Sequence, residues 1–298
     1  MAQSPNIVVF LTDDHAQWAL GCYGNQELHT PNLDYLARTG VRFANAFTPT
    51  PVCSPGRAAF WTGRMASQHG IHDFLMENPG YEEIRDRDWM AEEVTIAQIL
   101  SQADYKTGFC GKWHLGRSHV QQPGFDYWFS VDLGRYSHGG SRVYWENNER
   151  RELSGYVTER VTDQAINFVR SRDSQRPFFL FVGYLATHSP WEGHPERLAS
   201  QYRKCEFRDI PDDTTYRFGR LADESLVDCR SDQREALAQY YASVSEIDEQ
   251  VGRLIDELDA QGIRNDTLVV YTSDHGLNCG HHRIWGKGNG TRPLNMLE

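Results

Sequence analysis

Residues 6–15, Asn-Ile-Val-Val-Phe-Leu-Thr-Asp-Asp-His, hold an unbroken apolar run and then switch at once to two acids and a histidine. A continuous run of this length suits a strand buried on both faces of a parallel sheet. The pattern returns at Thr267–Thr272 (TLVVYT), which ends in Ser273-Asp274-His275-Gly276. A strand-like stretch at Lys106–Cys110 precedes Gly-Lys-Trp-His-Leu-Gly, and Phe178–Leu185 precedes Thr-His-Ser-Pro-Trp. Val41–Phe47 reads as a further strand leading into the Pro/Cys segment Thr48–Arg57. Helical spacing fills the intervals. Thr30-Pro31 starts a helix through Arg38 with Gly40 as its stop, and Val94–Gln102 and Tyr156–Arg172 follow. Gln233–Gln261 repeats apolar residues at three- and four-residue steps up to Gly262. The alternation predicts an α/β fold with a large, mainly parallel central sheet flanked by helices. In such sheets the ligand crevice lies beyond the carboxyl ends of the strands, where all five strand candidates carry chemically capable residues.

The chain has 298 residues, 39% hydrophobic and 24% charged, enough for a sizeable core. Its 41 acidic against 30 basic residues give a net charge of −11, which argues against nucleic acid as a partner. The apolar runs are of strand length, so no membrane span is expected. Met1 stands a few residues before the first strand, which leaves no room for a leader. A cytoplasmic protein is therefore expected, or a periplasmic or secreted one whose leader has been removed. The six cysteines are scattered without zinc-like spacing or a disulfide framework. Glu77–Glu93 and Arg203–Arg230 are charged and weakly periodic, and read as surface insertions that shape a substrate mouth.

Adjacent parallel strands would bring Asp13 and Asp14 beside Asp274 and His275. Three carboxylates there repel unless a cation neutralises them; the alternative is that they cap the turns that follow. Oxygen ligands favour calcium or magnesium, and the histidine keeps manganese or zinc open. Cys53 opens Cys-Ser-Pro-Gly-Arg, which reads as the start of a helix near Pro55. The positive end of a helix would lower a thiol pKa, and Arg57 adds a fixed charge one turn on. Cys53 is by its chemistry a thiolate nucleophile, a packing cysteine or the precursor of something else. Taken singly, Lys112 and Lys287 would be surface lysines, and His114 and His188 structural hydrogen bonders. His69, His72 and Asp73 lie just past the Cys53 helix, within reach of a substrate. Trp113, Trp191 and Trp285 read as packing residues.

Cys-Ser-Pro-Gly-Arg followed by Thr-Gly-Arg resembles the signature of the type I, formylglycine-dependent sulfatases of the alkaline-phosphatase-like superfamily. Supporting matches run along the chain: Asp13-Asp14, Gly-Lys-Trp-His-Leu-Gly at 111–116, Thr-His-Ser-Pro at 187–190, Ser-Asp-His-Gly at 273–276 and His-Arg-Ile-Trp-Gly-Lys at 282–287. The resemblance implies an alkaline-phosphatase-like α/β sandwich that hydrolyses sulfate esters. Cys53 would be oxidised to formylglycine by a maturation enzyme. Asp13, Asp14, Asp274, His275 and the modified Cys53 would hold one divalent cation, calcium first, with magnesium or manganese as alternatives. Arg57 would brace the formylglycine, Lys112 and Lys287 would bind sulfate oxygens, and His72 and Asp73 would contact the substrate, a sulfated small molecule or carbohydrate. A hydroxyl of the aldehyde hydrate would attack sulfur, His188 would protonate the leaving alcohol and His114 would help expel sulfate.

Four features depart from that pattern. Gly56 stands where serine is most common, and Asp274-His275 where many members have Asp-Asn. The Asp-His pair is shared with relatives that cleave phosphonate monoesters and phosphodiesters, which makes such a hydrolase the alternative reading. Arg283 replaces a small residue beside His281-His282. The chain stops at Glu298, so residues 1–298 are expected to form the N-terminal part of the catalytic domain, without the C-terminal subdomain. An inactive fragment with exposed sheet surface is the third reading.

Overall fold

The computed structural model describes residues 4–210, 233–281 and 285–287. Most of the Arg203–Arg230 insertion, residues 288–298 of the glycine-rich end and Arg283 lie outside the described residues.

The elements in chain order are β1 (Asn6–Thr12), α1 (Pro31–Thr39), α2 (Cys53–Thr62), α3 (Ala66–His69), α4 (Glu82–Arg85), α5 (Ile96–Gln102), β2 (Lys106–Gly111), β3 (Tyr127–Val131), β4 (Ser141–Glu146), β5 (Glu149–Ser154), α6 (Val157–Ser171), β6 (Phe178–Gly183), α7 (Glu196–Tyr202), α8 (Gln233–Ala260), β7 (Thr267–Ser273), β8 (Asn278–Cys279) and β9 (Trp285–Gly286). The main sheet runs β5-β4-β3-β2-β6-β1-β7. Its five strands from β3 to β7 are mutually parallel, while β4 and β5 are antiparallel additions at one edge.

The strand alternation sorts side chains to two helical layers. Val8 and Phe10 of β1 pack with Leu180 and Val182 of β6 against α1, α6 and the C-terminal half of α8. Val9 and Leu11 face the other way with Phe179 and Phe181, against α2 and α5. Trp61 of α2 and Trp113 are buried in that second layer. Trp191 and Trp285 pack with α7 and the N-terminal half of α8. All three tryptophans flanking the motifs are thus core residues.

Val41–Phe47 is a correction. It forms no strand, and Val41, Phe43 and Phe47 are 82%, 69% and 60% exposed. Side chains occupy carbonyls that a ladder would have used: Tyr23 Oη donates to Phe43 O and Gln17 Nε2 to Ala44 O. The β3–β5 region has weaker sequence signals. Asn147 and Asn148, with φ of 48° and 73°, form the two-residue loop joining Glu146 to Glu149, the geometry of a primed hairpin turn. The edge strand β5 (ERRELS) is almost wholly exposed and polar, so its composition resembles a loop. Helix α5 starts at Ile96, two residues later than its apolar spacing suggests, because Thr95 and Gln98 form a reciprocal capping box. The Glu77–Glu93 insertion is anchored: the Glu77 carboxylate is buried and accepts from Gly116 N and Ser118 Oγ, each at 2.9 Å.

One long-range cap joins two helices of the same layer. The α1 N-terminus has no cap from Thr30, and the Asp248 carboxylate of α8 accepts from Asn32 N (3.2 Å) and Leu33 N (2.8 Å). Asp248→Ala leaves these amides without their acceptor and should cost about 1–2 kcal/mol. Urea unfolding measures it, and an unchanged midpoint contradicts the cap.

Candidate active site

Parallel pairing of β1 with β7 sets Thr12 opposite Ser273, so Asp13-Asp14 and Asp274-His275 leave the sheet side by side. Asp14 N donates to Asp274 Oδ1 at 3.3 Å, and Asp14 turns back with φ of 64°. On the other flank, Asp13 N donates to Ala186 O and Thr187 N to Asp13 O, which ties in the end of β6. Gly111 sits with φ of 126° where a Cβ would lie 1.8 Å from Gly183 O, so only glycine lets β2 turn there and deliver Lys112.

Helix α2 aims its first residue, Cys53, at this rim. It starts two residues before Pro55, which is tolerated in the first turn because its missing N–H has no intrahelical partner there. Gly56 allows the close approach: a Cβ would lie 2.8 Å from Asp274 O. The buried Cys53 thiol donates to Asp13 Oδ1 (3.1 Å) and has Lys287 Nζ at 3.1 Å and His275 Nε2 at 3.4 Å. Arg57 Nε donates to Asp274 Oδ2 (3.0 Å) and Nη1 to Lys112 O (2.8 Å). Lys112 bonds Asp13 and Lys287 bonds Asp14. Lys112 is fully buried and the Lys287 side chain is 10% exposed, so neither is a solvated surface lysine.

Each histidine's tautomer follows from its carbonyl partner, because a carbonyl only accepts. His114 Nε2 donates to Leu75 O (2.9 Å), which leaves Nδ1 as the lone pair of the neutral ring. That Nδ1 is buried with no protein partner among the described residues. Burial and the Lys112 charge hold His114 well below the usual imidazole range, so it is neutral. His188 Nδ1 donates to Ser189 O (2.6 Å), which leaves Nε2 for chemistry. Burial and Lys287 push His188 down as well. His275 Nδ1 donates to Gly276 O (2.9 Å), and its Nε2 stands 3.4 Å from carboxylate oxygens of both Asp14 and Asp274. A neutral ring would point its lone pair at acceptors there, an arrangement that a cation between them relieves.

The charges are unevenly placed. Burial raises the Asp13 carboxyl, but Lys112, His188, Lys287 and Arg57 outweigh it and hold Asp13 well below the usual range. Burial raises Asp14 and Asp274, and the Asp13 charge raises both further. The thiol corrects the expectation drawn from helix position. Burial and Asp13 push Cys53 up, beyond what Lys112 and Lys287 recover, so it is no thiolate. Ligand atoms of Asp13, Asp14, Cys53 and His275 lie within 4.8 Å of one another, the spacing of a cation cage. Asp274 stands at its edge, clasped by Arg57. Two carboxylates and an imidazole fit a divalent cation. A thiol suits a soft metal, whereas an oxygen at position 53 would make the set fit calcium, magnesium or manganese.

His72 and Asp73 are not brought into this cluster. Both are exposed, and Asp73 Oδ1 accepts from Phe74 N. The segment they precede does reach the site: Leu75 N donates to Ser54 Oγ (3.1 Å) while Leu75 O holds His114. Sequence reasoning also missed Tyr136 and His138, which lie in the loop after β3 and touch His188. Reading Tyr127–Val131 as a strand would have marked that loop.

A family model described as "Sulfatase" matches residues 5–294, and the chain belongs to that family. The N-acetylglucosamine-6-O-sulfatase of Bacteroides thetaiotaomicron is 28% identical over 352 residues, covering 95% of this chain and 60% of the relative. The ulvan-active sulfatase of Formosa agariphila is 31% identical over 291 residues, covering 94% of this chain and 52% of the relative. A solved structure described as in complex with its substrate D-glucosamine-2-N,6-O-disulfate superposes with a TM-score of 0.78 at 25% identity, over 95% of this chain and 68% of that one. The chain thus spans 60% and 52% of the lengths of these two curated relatives.

Two outcomes test the site. Calcium added to the metal-free chain carrying formylglycine at position 53 should raise its thermal midpoint, and Asp13→Asn or Asp14→Asn should abolish the rise; indifference to calcium, magnesium and manganese alike contradicts the cage. Gly56→Ala should lower unfolding free energy by about 1–3 kcal/mol, since the new methyl meets backbone that cannot rotate away. Wild-type stability in that variant would contradict the close approach.

Proposed function

We propose that this chain carries the catalytic centre of a sulfate-ester hydrolase acting on sulfated carbohydrates. The observation that carries the reading is Cys53 itself, buried at the start of α2 between Asp13, His275 and Lys287, with a thiol held protonated. A protonated thiol is a poor nucleophile. Conversion to formylglycine by a maturation enzyme would put a hydroxyl nucleophile there, and a calcium ion held by Asp13, Asp14, His275 and Asp274 would draw negative charge from it and from the ester.

This chain's own residues supply the rest. The Lys112 and Lys287 ammonium groups flank position 53 and offer donors to sulfate oxygens. His188, fixed at Nδ1 by Ser189 O and neutral at rest, has its Nε2 lone pair to take the proton of the attacking hydroxyl and pass it to the leaving alcohol. His114 Nδ1 accepts the proton released when sulfate is expelled. Arg57 clasps Asp274 and the Lys112 carbonyl and so keeps β7, α2 and the β2 loop in register. His72 and Asp73, on the exposed stretch before Leu75, would meet the sugar beyond the ester. The relatives' descriptions as N-acetylglucosamine-6-O- and ulvan-active sulfatases support the carbohydrate class.

Co-expression with a formylglycine-generating enzyme should remove the thiol from the peptide carrying Cys53, read by mass spectrometry, and confer turnover of aryl sulfates. Lys287→Ala should then lower kcat/KM by about 10²-fold or more. Full activity with an intact cysteine refutes the proposal, and faster turnover of aryl phosphodiesters than of sulfates favours the phosphonate and phosphodiester branch instead. Absence of both turnover and cation binding leaves a silent fragment.

A further inference from the structure

The loop after β3 holds His188 from two sides. Tyr136 stacks its ring on the His188 imidazole, with centroids 4.8 Å apart and planes 28° from parallel. His138, two residues on, donates from Nε2 to the His188 carbonyl at 2.7 Å. The loop is itself pinned by Arg142 of β4, whose guanidinium donates to the carbonyls of Asp132, Arg135 and Ser137. Lys112 Nζ lies over the same tyrosine ring, 5.6 Å from its centroid, so one aromatic ring meets both a sulfate-side cation and the leaving-group histidine.

The bond from His188 Nδ1 to Ser189 O anchors one edge of the imidazole but leaves the ring free to rock about that bond. A stacked aromatic face removes that freedom, because rocking would open a gap between the rings. Proton delivery depends on that plane, since Nε2, once it has taken the proton of the attacking hydroxyl, must point it at the leaving oxygen. We propose that Tyr136 is a positioning residue whose ring fixes the plane of His188 and thereby aims the proton delivered to the departing alcohol. The proposal rests on the sulfate-ester reading above. It assigns the role to the ring face and none to the phenol hydroxyl.

The test uses the matured, calcium-loaded chain and a series of aryl sulfates from p-nitrophenyl to p-methoxyphenyl. The first leaving group departs with little protonation, and the last depends on it. Tyr136→Leu and Tyr136→Met, made in parallel so that either serves if the other fails to fold, should lower kcat for the p-methoxyphenyl ester about tenfold or more and for the p-nitrophenyl ester by less than about threefold. KM and thermal midpoint should stay near wild type, and Tyr136→Phe, which keeps the ring, should match wild type across the series. An equal loss on all esters, no loss, or a Phe variant as impaired as Leu overturns the proposal. Matured wild type that turns over no aryl sulfate overturns the underlying reading, which is a different result from a wild-type series left unchanged by the substitutions.

Discussion

Like charge held at close range out of water is the constraint around which this molecule is arranged. Asp13, Asp14 and Asp274 are all buried at the ends of two neighbouring strands. Their mutual repulsion in a site of low polarity would open the sheet rim unless positive charge answered it. Lys112, Lys287 and Arg57 supply part of that charge, each through a direct bond to one of the carboxylates. The imidazole of His275, turned toward two carboxylates by its carbonyl bond, marks where a further cation belongs.

The fold meets this constraint through backbone placement. Parallel registration of β1 with β6 and β7 sets three strand ends level, and the chain leaves each of them with a chemically active residue. Glycines permit the approaches that side chains would block: Gly111 against Gly183 and Gly56 against Asp274. The lack of a side chain at Gly56 seats α2 on the backbone after β7. The first turn of α2 and His114 are then linked through one residue, since Leu75 takes the Ser54 hydroxyl on its amide and His114 on its carbonyl.

How much of this could be read in advance depended on periodicity. The parallel strands β1 and β6 are buried apolar runs, β7 is an apolar run that lies half-buried at the sheet edge, and the long helix α8 repeats cleanly, so the centre of the sheet and its motif-bearing ends were legible. Val41–Phe47 has strand composition but no ladder partner among the described residues, and its apolar side chains remain exposed. β5 forms a strand despite its polar composition because the Asn147-Asn148 turn folds it back on β4. The acidic and basic members of the site announced themselves by motif. The contacts that orient them did not, because Tyr136, His138 and Leu75 act through ring faces and backbone groups. Cys53 shows the remaining gap: helix position favours a thiolate, yet burial beside Asp13 reverses the sign.

The most direct test is anomalous diffraction from crystals of the matured chain grown with manganese. The account predicts one strong peak within about 2.6 Å of carboxylate oxygens of Asp13 and Asp14, with His275 and the modified residue 53 completing its shell. A well-ordered site without a peak, or a peak bound elsewhere while these carboxylates keep their lysine partners, would contradict it.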